Sequence, residues 1–244
     1  MATFVLVHGG GHGGWCYAKV AKRLRAAGHE VLAPSLPGCG EHTHMSFPEI
    51  DLDCHIADVA GLLFSEDLND VILVGHSYGG MVITGVADRA GERIRELVYL
   101  DAAHPRDGES LRVIAAAQIE PTYAGVRVVN GAELVMWPAP GMARFFGVND
   151  PDDVAWVDAR LTPHPWKTYD QPLVLRNGDA AFRLPRTNIN CTQSLRSAEG
   201  SGVFRQTEGD RNFEIDTGHD LMLTEPDRVA EMLLEIARTP ARQP

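Results

Sequence analysis

The residues best able to do chemistry are gathered around Ser77, in the run Gly75-His-Ser77-Tyr-Gly79. A serine hydroxyl is a poor nucleophile at neutral pH, so it needs a sharp presentation and a base. Both are legible here. Val71 to Val74 is an apolar strand, Tyr78 to Ala90 has the composition of a helix, and G-x-S-x-G stands between them. Lifting the hydroxyl above a sheet edge requires a turn within a few atoms, which glycines permit because they have no Cβ to collide. The following helix then aims its unbonded amides at any anion that forms at the serine. The spacing predicts Ser77 as a nucleophile.

The base predicted for it is His219, in Asp216-Thr-Gly218-His219-Asp220, between the last predicted strand and the final helix. That places it at the same sheet edge and in the chain order Ser…His. His29, His55, His104 and His164 read as packing or surface residues, and His76 as pointing away around the turn. The acid is less determined. Asp101 ends the apolar strand Leu97 to Leu100 beside the nucleophile strand and is the favoured orienting group for the imidazole; Glu199 is the competing carboxylate, and Asp101 could simply cap the next turn. One backbone donor for an oxyanion is expected at Tyr78, and another in the glycine loop His8 to Trp15. That loop also contains G-x-G-x-x-G (Gly9, Gly11, Gly14), but Ala33-Pro34 stands where a dinucleotide site needs an acid. His42, His44, Asp51 and Asp53 match no zinc-hydrolase spacing. No metal and no cofactor is expected. The aromatic residues Trp137, Phe145, Phe146, Trp156, Trp166 and Tyr169 suit either a core or the wall of an apolar pocket. The substrate-pocket candidates are His12, Trp137, Phe145 and Trp156.

These groups need a scaffold, and the first hundred residues supply one by alternating strand and helix periods. Strands are predicted at Thr3 to Val7, His29 to Ala33, Val71 to Val74 and Leu97 to Leu100. Helices are predicted at Trp15 to Ala27, stopped by Gly28, at Leu52 to Phe64 and at Tyr78 to Ala90. Alternation resumes with strands at Thr187 to Cys191 and Asn212 to Ile215 and a helix from Asp227 to Arg238. Such a pattern implies an α/β fold: a mostly parallel sheet with helices on both faces. Residues 102–184 break the rhythm with eight prolines and three of the four tryptophans, and read as an insertion over one end of the sheet within a single 1–244 domain.

Composition narrows the function. The chain has 244 residues, 44% of them apolar and 23% charged, which is ordinary for a globular protein. With 33 acids against 22 bases the net charge is −11, which repels phosphate backbones and argues against nucleic acid as a partner. No apolar run approaches the ~20 residues that span a bilayer, so no membrane association is expected. The four cysteines lie far apart without metal-binding spacing and read as free thiols of a cytoplasmic protein. The expected partner is a small-molecule ester; a homodimer is one compatible assembly.

Four segments resemble the α/β-hydrolase fold, in its branch of plant methylesterases and hydroxynitrile lyases with their bacterial relatives. They are Phe4-Val-Leu-Val-His8-Gly-Gly-Gly-His12-Gly-Gly-Trp15, Gly75-His-Ser77-Tyr-Gly-Gly80, Leu97-Val-Tyr-Leu-Asp101 and Gly218-His219-Asp-Leu-Met-Leu223. The likeness runs through 3–105 and 216–226, and the first half is similar to bacterial members that cleave carbamate and pyrethroid esters. It implies Ser77 as nucleophile, His219 as base and the amides of Gly10 and Tyr78 as the oxyanion hole. The family's usual acid position falls near Gln193 to Leu195, which holds no carboxylate. Lyase members carry a lysine after the base and a threonine after the first-strand histidine; this chain has Asp220 and Gly9. The expectation is a cofactor-independent serine esterase acting on an uncharged, mostly apolar ester, carbamate or amide cleavage being open to it. A hydroxynitrile lyase and a non-catalytic small-molecule receptor are the rival readings.

Overall fold

The computed structural model describes residues 1–198, 205 and 208–238. In chain order the elements begin with β1 (Thr3–Val7), α1 (Ala18–Ala26), β2 (Glu30–Leu32), α2 (Leu52–Ser65), β3 (Val71–His76), α3 (Gly79–Ala90) and β4 (Ile94–Leu100). Then come α4 (Leu111–Ile114), α5 (Ala116–Tyr123), β5 (Arg127–Val129), β6 (Ala132–Val135), α6 (Pro151–Asp158), β7 (His164–Pro165), α7 (Lys167–Asp170) and α8 (Ala180–Arg183). The chain closes with β8 (Arg186–Cys191), α9 (Thr192–Ala198), β9 (Arg211–Ile215), α10 (Leu221–Thr224) and α11 (Pro226–Arg238).

The main sheet runs β2-β1-β3-β4-β8-β9, and every pairing in it among the described residues is parallel. Alternate side chains go to opposite faces, so the apolar strands fill two cores. Phe4, Leu6, Ile72, Val74, Val98 and Leu100 pack against α1 and α11 on one side. Val5, Val7, Leu73, Leu97 and Tyr99 pack against α2 and α3 on the other. These side chains are essentially inaccessible, and each large aliphatic buried this way contributes ~1.5–3 kcal/mol. Gly28 (φ +85°) ends α1 as expected, and the Asp51 carboxylate caps α2 by accepting from the Cys54 amide.

Strand order reverses between β1 and β3, and the crevice outside the carboxyl ends at such a reversal is where open α/β sheets place their ligands. Residues 102–184 form short helices and a separate antiparallel sheet, β5-β6-β7, which the period analysis did not foresee. They reach the crevice through Thr162, whose amide donates to the Gly11 carbonyl at 2.9 Å.

Candidate active site

Ser77 follows the last residue of β3 and precedes α3, with a left-handed φ of +54° that a non-glycine residue holds at a cost of ~1–3 kcal/mol. The turn is fixed from several sides. The Ser77 carbonyl accepts from the amides of Gly80 (3.1 Å) and Ala103 (2.9 Å). A Cβ on Gly75 would lie 2.6 Å from the Gly79 carbonyl oxygen, and one on Gly79 2.7 Å from that of Val7. Ser77 itself is only partly buried.

Asp101, directly after β4, is the same kind of position one strand over: φ is +46° and the residue is 2% exposed. Its Oδ2 accepts from His219 Nδ1 at 2.5 Å and from Ser194 Oγ at 2.7 Å, and its Oδ1 accepts from the Cys191 amide at 3.1 Å. Burial opposes ionisation of Asp101, but the His219 hydrogen bond and charge, with the Ser194 and Cys191 donors, hold it below the usual carboxylate range. The same contact acts on His219: burial lowers its pKa, and Asp101 more than offsets this, raising it above the ordinary value. Nδ1 is thereby committed to Asp101, which leaves Nε2 for proton transfer. Of the competing carboxylates, Glu199 lies outside the described residues.

The amides of Gly10 and Tyr78 donate to no other described residue, the condition an oxyanion donor must meet. The loop carrying Gly10 is held by His8, whose Nδ1 donates to the Gly9 carbonyl while Nε2 accepts from the Leu36 amide. Those two bonds need the neutral ring, and burial pushes His8 down to about 3. Over Gly10 lie Tyr169 and Met136 of the 102–184 segment; a Cβ on Gly10 would overlap the Tyr169 hydroxyl, and Met136 Sδ would be 3.4 Å from it. Met136 has a left-handed φ of +54° as well.

Several expectations need correction. His76 does not point away: its Nε2 donates to the His219 carbonyl at 3.0 Å and its ring lies 4.6 Å from that of His219. His12 is buried behind the crevice, with its ring nitrogens on the Gly10 carbonyl (2.8 Å) and Asp220 Oδ2 (3.0 Å), so it offers no free edge to a substrate. Phe145 is 74% exposed; the adjacent ring, Phe146, is the one that faces His12 (5.1 Å) and His219 (6.3 Å). Trp156 packs on Trp15 and carries Arg160 over its face, while Trp137 donates to the Leu134 carbonyl under Arg127. Sequence reasoning missed Ser194, Cys191 and Met136, and took Phe145 rather than Phe146 into the pocket. Ser194 alone left a signal, a hydroxyl residue where the resemblance leads one to seek an acid. Asp220 also faces inward to His12, so its standing in place of the lyases' lysine is a weak argument against lyase chemistry. Gly9 is the stronger one: a Cβ there would lie 2.8 Å from Ser77 Cβ, leaving no room for the lyases' threonine.

No group of three or more His, Cys, Asp or Glu among the described residues could hold a metal ion, and no helix among them is long and apolar enough to cross a membrane.

The whole chain has known counterparts. It is 41% identical over 247 residues, 96% of its own length and 98% of the other, to a protein of Nocardioides sp. (strain SG-4G) named carbendazim hydrolyzing esterase. Methylesterase 1 of Arabidopsis thaliana is 38% identical over 104 residues, which span 42% of this chain and 40% of that one. Among solved structures, an extracellular alpha/beta-hydrolase from a Paenibacillus species superposes with a TM-score of 0.80 at 22% identity, covering 98% of this chain and 100% of that one. A pyrethroid hydrolase from Sphingobium faniae JZ-2 gives 0.74 at 20% identity, with 98% of each chain covered. The alpha/beta hydrolase family profile matches residues 4–232, and with a parallel sheet turning into a helix through a strained serine, the chain belongs to that family.

Proposed function

We propose that the protein is a carboxylic ester hydrolase working through Ser77, His219 and Asp101, with the Gly10 and Tyr78 amides as oxyanion donors. The single observation carrying this reading is the 2.5 Å contact of His219 Nδ1 with Asp101, on the strand end beside the strained Ser77 turn. His219 Nε2 takes the hydroxyl proton as Ser77 Oγ attacks the ester carbonyl, and Asp101 orients and stabilises the resulting imidazolium. The tetrahedral oxyanion rests on the two backbone amides, a contribution of ~3 kcal/mol per donor in such sites. Collapse breaks the bond to the leaving alcohol, which receives the proton from Nε2. A water deprotonated by the same nitrogen then hydrolyses the acyl-enzyme and regenerates Ser77.

An uncharged, mostly apolar ester fits the groups around the crevice, since Met136 and Phe146 supply apolar surface close to the catalytic loops. The relative named for carbendazim hydrolysis supports including carbamates in the substrate range. Residues 102–184 act as a cap on the one domain, and the four free thiols favour a reducing, cytoplasmic setting. A fluorophosphonate probe tests the nucleophile: the wild-type chain is labelled and Ser77→Ala is not, and labelling of the Ala variant overturns the assignment. Turnover across p-nitrophenyl esters of rising chain length, aryl carbamates and pyrethroid-type esters then places the substrate.

A further inference from the structure

Behind the crevice lies a buried polar cluster that the reaction itself does not use. His12 comes from the loop after β1 and Asp220 from the residue after His219; they are 1% and 0% exposed. His12 Nδ1 is 2.8 Å from the Gly10 carbonyl and Nε2 is 3.0 Å from Asp220 Oδ2. A carbonyl oxygen only accepts, and so does a carboxylate, so both ring nitrogens must donate. A neutral imidazole has one N–H. The ring therefore carries the second proton, and the charge is balanced by Asp220.

We propose that the His12–Asp220 ion pair is a positioning brace that locks the oxyanion loop to the base loop. Gly10 contributes its amide to the oxyanion hole, and its carbonyl is the atom His12 grips; Asp220 follows the base directly, and its amide donates to the Phe146 carbonyl at 2.9 Å. His76, the residue before the nucleophile, completes the set by donating to the His219 carbonyl, with its Nε2 3.8 Å from Asp220 Oδ1. The oxyanion loop and the base loop are thus joined through one buried carboxylate, and His76 ties the nucleophile turn to the base loop through the His219 carbonyl. The other titratable groups around the pair are His8, His76, His164 and His219, with the Tyr17 phenol and the Cys16 thiol, both of which burial keeps protonated. Burial holds His8 and His76 neutral, while in His12 the penalty of burial is outweighed by Asp220, whose charge and hydrogen bond raise its pKa. Stacking on Trp15 and an edge contact with Phe146 keep the imidazolium ring in plane with both acceptors.

The inference rests on Gly10 and His219 working as proposed above, and the test separates the two. Wild type, Asp220→Asn and the double variant His12→Phe/Asp220→Leu, which leaves no orphaned charge, are compared on a p-nitrophenyl ester. A brace predicts that the double variant loses at least tenfold in kcat with KM changed less than twofold. Fluorophosphonate labelling of Ser77 slows by a similar factor, because the phosphonyl oxygen uses the same amides. Asp220→Asn, which can still hydrogen-bond to His12, recovers most of the loss. A double variant with wild-type kcat, or an Asn variant no better than it, overturns the brace. A long-range proton–nitrogen spectrum of the wild type at pH 6 provides a second measurement should the double variant not fold: both His12 ring nitrogens carry protons if the inference holds, and one bare nitrogen refutes it. A wild type inert to ester and probe alike refutes the proposed function instead, and the spectrum then decides the brace alone.

Discussion

The carboxyl edge of the main sheet and the 102–184 segment above it are built on different principles. At the edge, Ser77 and Asp101 are the residues immediately following neighbouring parallel strands, both in left-handed backbone held by the ladder beneath and by the amides of Ala103 and Cys191. Above them, Met136, Phe146 and Tyr169 come from three separate short elements brought together by packing. The edge derives its precision from hydrogen-bonded periodicity and the cap its shape from long-range contacts. The difference teaches where each property resides under the proposed function: the reaction in the edge, the choice of substrate in the 102–184 segment.

The division is broken most severely if edge substitutions fail to scale every substrate alike. Ser77→Ala is expected to lower kcat on the order of 10⁶-fold for all esters turned over, measured in steady state. Asp101→Asn keeps the shape but misplaces the proton on His219, with an expected loss of ~10⁴-fold. A loss confined to one ester class would contradict the division. Cap substitutions sharpen it from the other side. Met136→Ala is expected to move the ratio of kcat/KM between long and short acyl chains by ~10-fold, leaving the chemical step for the better substrate nearly intact. Phe145→Ser, at an exposed position, is expected to shift stability by less than ~0.5 kcal/mol and activity by nothing measurable.

Protonation offers a further check on the edge. His219 must be neutral to act, and its pKa is raised, so activity climbs with pH through a value above 6.5. The stabilities run oppositely. His12 and His219, both raised, stabilise the fold below pH 6.5 and lose that contribution as pH rises through their folded values; Asp101, lowered, stabilises above ~4 and loses its contribution in acid. Thermal melts from pH 4 to 9 check the sign, and a melting temperature that rises steadily to pH 9 contradicts it.

The sequence spelled out the edge because its signals are local. Apolar runs closed by Gly75 and Asp101 identify strand ends within a residue or two, and Gly28 marks a helix stop that φ +85° bears out. The cap was opaque for the opposite reason. β5, β6 and β7 have three, four and two residues, too few to show a period, and β6 pairs with His164 from nearly thirty residues away. The choice of Phe145 over Phe146 turned on which of two adjacent rings faces inward, which is set by a 3-10 turn between two left-handed glycines, Gly141 and Gly147. His12 was misread because it looks functional alone, while its partnership with Asp220 spans 208 residues.

That Asp101 sits on the strand next to the nucleophile has a wider consequence. Under the proposed function the connection leaving β8 need not supply an ionisable group; its link to Asp101 is the Ser194 hydroxyl, beside the amide and thiol of Cys191 at the end of β8. Descendants of this chain could therefore lengthen or recompose that connection beyond Ser194 while the nucleophile and its distant carboxylate stay in register.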